Sequence, residues 1–447
     1  MRTALLARSL LLVLLSSAAM LLAACSDDDT TSPPDPCPCE SPWSVVELPA
    51  DLPDGMLSAI ALYHNSSAAV GSGLDGSGIL LENSSRGWRR VEIPELQSAS
   101  IWDVTIGGGM LMALVAIPHV IVSHFAIGGG LLIAVTETLA VKRGDWEMRE
   151  LARRSSLVLI LVSTVFGAIS GVGIWVVAGL ISPGAISALI HTYVWGWAIE
   201  WVFFILEIVA ALVYYTTWDK ISKGAHVLVG WLYFVGAYLS LVIINGIITF
   251  MLTPGRWLDT HAFWDGFFNP TYFPALLLRT GICAMMATAF LVFAAQKADP
   301  GAKPRLIRYL GWWMVAGALI SYAGYRWWEA ALPDTVLGLF RGDSPVLPTL
   351  AATRSLTLWA LTAALVLAAV VLVARPRYGR AVAAIAVMVA AFLFFGSYER
   401  LREGVRKPFL IHSHLFSNGL LVSDIERINE EGMVAHSGWV AASVDDG

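Results

Sequence analysis

From about residue 105 the chain alternates long, almost unbroken apolar runs with short polar connections. Eight runs fall near 106–140, 155–181, 187–215, 226–252, 273–296, 308–330, 353–374 and 380–398. A helix rises about 1.5 Å per residue and the hydrocarbon core is about 30 Å thick, so each run is long enough to span it. The pattern predicts an all-α polytopic membrane protein, about eight transmembrane helices in a bundle. Residues 43–100 have another rhythm. "WSVVELP" at 43–49 returns as "WRRVEIP" at 88–94, 45 residues later, and short apolar stretches between them are broken by "HNSS", "LDGSG" and "ENSSRG". Period and turn chemistry match one propeller blade, so a small exported β-rich segment is expected ahead of the bundle.

Composition agrees with the runs. The 447 residues are 57% hydrophobic and 14% charged, against roughly 25% charged in soluble domains. The net charge of −5 comes with no dense basic run, which excludes a nucleic-acid partner. The first 24 residues combine Arg2 and Arg8 with a short apolar stretch, and end in Leu22-Ala23-Ala24-Cys25. They read as a secretory signal, 1–24, and the ending resembles a bacterial lipobox, which implies lipidation of Cys25. Residues 25–42, rich in Asp, Ser, Thr and Pro, read as a linker. Cys37 and Cys39 match neither a zinc knuckle nor a covalent haem motif.

Loop charge sets the orientation. Lys142, Arg143, Arg149, Arg153 and Arg154 follow the first run, Lys220 and Lys223 the third, Lys297, Lys303, Arg305 and Arg308 the fifth, and Arg375, Arg377 and Arg380 the seventh. The positive-inside rule makes these loops cytoplasmic. The N-terminus and the tail at 411–447 are then expected on the periplasmic side of a bacterial inner membrane, in contact with lipid throughout the span.

Ionisable residues inside such runs are functional candidates by default. In "IPHVIVSHFAIGGGLLIAVTET", His119 and Glu137 are 18 residues apart, five helical turns or about 27 Å on one face. His124 is turned roughly 140° from His119, so the two histidines cannot serve one site. Gly128, Gly129 and Gly130 suit close helix packing, and His119 suits a hydrogen bond across the bundle or ligation of haem iron. On the third run Glu200 and Glu207 share a face and suit a metal ligand or a proton relay. The neighbouring Trp195, Trp197, Trp201, Phe203 and Phe204 would wall a flat cofactor. "SYERLREGVRKPF" ends the eighth run with Glu399, Arg402, Glu403, Arg406 and Lys407, an excess of cations that predicts an anionic partner.

Together these motifs resemble subunit I of the cytochrome bd-type oxygen reductases, over about residues 101–410. The histidine followed eighteen residues later by glutamate, the paired glutamates followed by "TTWDK", and the closing "EGVRKPF" carry the likeness. The resemblance implies a two-haem site that reduces O2. His119 would hold one high-spin haem, of b or d type, and Glu403 would address the iron of the second. Arg406 would lie near the propionates, with Arg354 and Glu399 in the same cofactor-binding set. Glu200, Glu207 and Glu403 would be catalytic, and Glu137, Glu200 and Glu207 would form the proton path.

The departures from that family are paired. Arg279 in "NPTYFPALLLRT" stands where the family has a low-spin haem histidine, and Leu356 in "TRSLTL" where it has the methionine. The quinol loop shrinks to residues 329–352. A member without the low-spin haem and the quinol site is expected, fed by an exported c-type cytochrome, with a possible second membrane subunit. Two alternatives stand beside it: a haem subunit for electron transfer or for reducing another small molecule such as nitric oxide, and a haem-free transporter or anchor. His261, His412 and His414 have no assigned role.

Overall fold

The computed structural model describes residues 55–63, 66–73, 78–84, 87–90, 108–181, 183–340, 349–378, 381–417 and 419–431. The signal, Cys25, the linker and the end of the tail lie outside the described residues. Ahead of the bundle, β1 (Gly55–Tyr63), β2 (Ser66–Gly73), β3 (Gly78–Ser84) and β4 (Gly87–Arg90) pair in order as an antiparallel meander, with a register shift in β1 between Leu57 and Ala59.

Eight long helices follow. They are α1 (Gly108–Arg143), α2 (Trp146–Ile181, with a π-helical stretch at Leu161–Gly167), α3 (Val194–Thr216), α4 (Lys223–Leu252), α5 (Tyr272–Ala295), α6 (Lys303–Ala330), α7 (Leu350–Ala374) and α8 (Ala381–Arg406). Seven of them are long and apolar enough to cross a membrane. The eighth, α6, has the length, 28 residues, but its Trp, Tyr and Gly residues dilute its hydropathy. It still packs along α5.

The starts of α2 and α4 are written locally. Asp145 accepts from the Met148 amide and Ser222 from the Ala225 amide, capping each first turn. Burial then sorts the helices. In the most apolar window of α5, 72% of residues are buried, against 17% in α3, so α5 is the central helix and α3 a peripheral one. Trp195 and Trp201 are 72% and 59% exposed, so these two of the five aromatic residues point away from the bundle.

The glycine run is a three-way junction. A Cβ on Gly128 would lie 1.8 Å from the Cys283 carbonyl oxygen of α5, one on Gly129 2.5 Å from Leu159 of α2, and one on Gly130 2.6 Å from the Tyr233 ring of α4. Within one turn α1 therefore seats three neighbours, each at a distance that only a missing side chain allows. Beyond α8, strands β5 (Phe409–Ile411) and β6 (Leu415–Phe416) form a small hairpin, docked on the end of α4 by the bond from the His412 amide to the Met251 carbonyl (2.9 Å).

Candidate cofactor site

His119 follows Pro118 inside α1 and points at α2. Its Nδ1 lies 3.1 Å from Ser170 Oγ, and the ring fits because Gly171 has no side chain: a Cβ there would stand 3.1 Å from His119 Cε1. The Ser170 hydroxyl donates to the Phe166 carbonyl. Its one proton is thereby spent, so it accepts from His119, Nδ1 carries the imidazole proton, and Nε2 keeps a lone pair that no described residue engages. An imidazole oriented through one nitrogen with the other left free is the usual state of a metal-ligating histidine. That donor set fits an axial ligand to haem. Among the described residues no three His, Cys, Asp or Glu side chains converge as a metal centre, and a haem held by one axial residue requires no such cluster.

His124 faces elsewhere, as the helical spacing requires. Its Nδ1 donates to the Val120 carbonyl (2.8 Å) and its Nε2 accepts from Arg279 Nη1 (3.2 Å), which makes it a neutral ring. From Arg279 an ion ladder runs along α8. Arg279 pairs with Glu399 (3.1 Å), Glu399 with Arg402 (3.0 Å), Arg402 with Glu403 (2.7 Å) and Glu403 with Arg406 (2.5 Å). Three guanidinium groups face two carboxylates, a net charge of +1. Arg279 Nε, Arg406 Nε and the Tyr398 hydroxyl are buried without a hydrogen-bond partner. Buried unpaired donors beside an unmatched cation are the condition in which an anionic group, such as a propionate, is stabilised. Glu403 is the most open rung, its side chain 38% exposed, but Arg402 and Arg406 hold its two oxygens. An iron ligand at Glu403 would have to share one of them.

The other expected residues lie apart. Arg354 pairs with Glu329 (2.5 Å) and lies over the Phe340 ring, so its charge is already matched. Glu200 accepts from Ser240 Oγ (2.7 Å) on α4. Glu207, two turns on, is half-buried and makes no hydrogen bond to the ladder. Leu356 is 47% exposed on the outer surface of α7.

Glu137 brings in residues the sequence reading missed. It is 0% exposed, accepts from the Tyr214 hydroxyl (2.8 Å), and both its oxygens lie within 2.9 Å of His226 Nδ1. His226 Nε2 faces the Tyr214 carbonyl at 2.9 Å and must donate to it. The Glu137–His226 contact therefore holds one proton that either partner can carry. Trp218 lies against His226 (centroids 4.2 Å), Arg149 lies over Trp218 (5.1 Å), and Arg149 and Arg153 both bind Asp219 (2.8 Å each), closing this end of the bundle. The only advance sign of His226 was a histidine in the first turn of a membrane helix.

A bundle of this kind, with histidines and a carboxylate–guanidinium ladder buried between apolar helices, defines a polytopic integral membrane protein. Residues 109–300 match the family model for cytochrome bd terminal oxidase subunit I. A Bacillus subtilis (strain 168) protein named "Putative cytochrome bd menaquinol oxidase subunit I" is 27% identical over 187 residues, 39% of this chain and 40% of that protein. The chain thus spans well under half of that relative in the match. The bd oxidase structure from Geobacillus thermodenitrificans superposes with a TM-score of 0.59 at 16% identity, covering 67% of this chain and 87% of that one; this likeness speaks for the fold. Over these residues the chain is similar to the cytochrome bd subunit I family, from which it diverges in sequence.

Proposed function

We propose that this chain is a membrane oxidoreductase subunit that holds haem at His119 and at the Glu403–Arg406 end of the ladder and reduces O2 to water. The observation that carries the reading is the 3.1 Å contact between His119 Nδ1 and a Ser170 hydroxyl that itself donates to Phe166, an arrangement that favours a proton on Nδ1 and leaves Nε2 to ligate. Haem, when bound, supplies the iron at which O2 is reduced. The rest falls to the chain. His119 anchors the macrocycle, Gly171 leaves room for the ring, and Arg279 and Arg406 offset negative charge in a region that water reaches poorly. Glu137 with His226 stores a proton at the basic-loop end, taken as cytoplasmic, and Glu200 and Glu207 lie further along α3.

The low-spin haem and the quinol site are read as lost. Arg279 is engaged by His124 and Glu399, and Leu356 points outward, so neither position offers a ligand. An exported c-type cytochrome is the donor we infer, with a second membrane subunit on the exposed face of α3. One observation favours a narrower alternative: with both Glu403 oxygens held by arginines, a single haem at His119 would make an electron-transfer subunit.

Reduced-minus-oxidised and CO-difference spectra of the purified protein separate these readings. Two high-spin haems, one lost in His119→Ala and one perturbed in Glu403→Ala, support the oxidase. A single haem lost only in His119→Ala supports the narrower form. A protein without haem overturns both. Oxygen uptake with a reduced c-type cytochrome then tests the acceptor and the donor together.

A further inference from the structure

His261, His412 and His414 lie beyond the membrane helices at the end of the bundle opposite the basic loops, and the function proposed above uses none of them. His261 ends the short helix Trp257–Thr260 with a left-handed backbone, φ 51°. His414 follows Ser413, φ 61°, at the tip of the β5–β6 hairpin. Segments 153 residues apart thus place two imidazoles with their ring centres 6.2 Å apart. Both meet the same indole nearly edge-on: Trp257, 6% exposed, lies 4.8 Å from the His261 ring and 5.0 Å from the His414 ring. That common wall holds the rings side by side. No ring nitrogen of either residue hydrogen-bonds any described residue, whereas His412 Nδ1 is bonded to Ser413 Oγ at 2.9 Å.

Metal–nitrogen distances of about 2.0–2.1 Å put the ring centres of two histidines on one ion roughly 5–6 Å apart. The observed separation lies just beyond that range, within a small side-chain rotation. We propose that His261 and His414 form a binding site for a single divalent transition cation of the zinc or copper type, completed by water. Neutral imidazole suits such ions and does not suit Mg2+ or Ca2+, which take oxygen ligands. Bound there, the ion would clamp the loop that follows α4 to the hairpin that follows α8. The site requires no haem, so it stands or falls independently of the oxidase reading.

The test uses the full-length protein in detergent, purified through a tag without histidine, and the bare ions Zn2+ and Cu2+ as probes. Calorimetry is expected to give one Zn2+ per chain. The Cu2+ electron paramagnetic resonance spectrum should show coupling to two nitrogens. His261→Ala and His414→Ala should each weaken binding by at least about tenfold, the loss that even a residue supporting a ligand can cause. His412→Ala should leave it unchanged. A double variant that binds as the wild type does, or loss of binding in His412→Ala, overturns the proposal. Should the variants misfold, the wild type still decides: Zn2+ should protect His261 and His414, and not His191, from carbethoxylation read by mass spectrometry. Unprotected rings at saturating Zn2+ refute the site.

Discussion

His119 and His124 are five residues apart and have opposite chemistry, and the difference lies in what faces each ring. Ser170 leaves a lone pair free on His119; Arg279 occupies the corresponding nitrogen of His124. Replacing Ser170 by alanine should therefore keep haem bound but loosen the ring, shifting and broadening the Soret band, while His119→Ala should lose that haem outright. Spectral titration with added haem tells the two apart. The ladder makes a second residue-scale prediction. Arg279→Met leaves the half-buried Glu399 with Arg402 alone, and breaking a buried pair costs at most about 3–5 kcal/mol. Adding Glu399→Gln should recover most of that loss, readable as the thermal midpoint in detergent. Without recovery, the pair is not what Arg279 stabilises. Sequence periodicity foresaw that the two histidines diverge, because helix geometry alone requires it. Their partners it could not give: Ser170 and Arg279 lie 51 and 155 residues away, and only packing brings them near.

At the scale of elements, the apolar runs made the helices legible almost to their ends, since a membrane helix announces itself by length and composition. Less legible was which helix lies inside. Hydropathy ranks α7 and α2 highest, yet α5, the least apolar of the seven, is the most buried. Lipid and protein interior are both apolar, so hydropathy cannot distinguish a helix facing one from a helix facing the other. Small residues can, and α5 presents Gly281 to α6 at a distance where a Cβ would meet Ser321 at 2.4 Å. The α1 junction gives a sharp test. Gly128→Ala drives a methyl into the Cys283 carbonyl, a backbone atom that cannot rotate away, so the folded yield should collapse. Gly179→Ala, with nothing within 4 Å of its Cβ, should be silent. Size-exclusion profiles of the two variants check the contrast. The outward tryptophans supply the converse: Trp195→Ala and Trp201→Ala should leave the haem spectrum as it is, and a shift would return them to the cofactor.

For the molecule as a whole, the basic-loop end is stitched by ion pairs outside the membrane core. Arg305 binds Asp145 through both nitrogens, joining the first loop to α6, and holds the Asp145 carboxyl below its ordinary value of 3.8. Arg149 and Arg153 do the same for Asp219. A carboxylate whose folded pKa is depressed stabilises the fold above its unfolded pKa and loses that stabilisation as the pH falls through the folded value. The detergent-solubilised protein should thus hold its thermal midpoint down to about pH 4 and lose it progressively below. Asp145→Asn should lower the midpoint at neutral pH modestly and flatten the acid limb. A partly solvated pair such as Arg305–Asp145 contributes no more than about 1 kcal/mol, so an effect of Asp145→Asn much larger than that would point to a different cause.

The glycine junction also acts as a surveyor's datum. Because three helices are seated within one turn of α1, that helix can neither slide nor rotate without unseating all of them. His119 lies nine residues to one side of Gly128 and Glu137 seven residues to the other side of Gly130. The depths of His119 and of Glu137 are then fixed against the same mark, about 27 Å apart by helix rise. A thicker or thinner bilayer can tilt the whole bundle or deform around it, but the interval between the two sites stays constant.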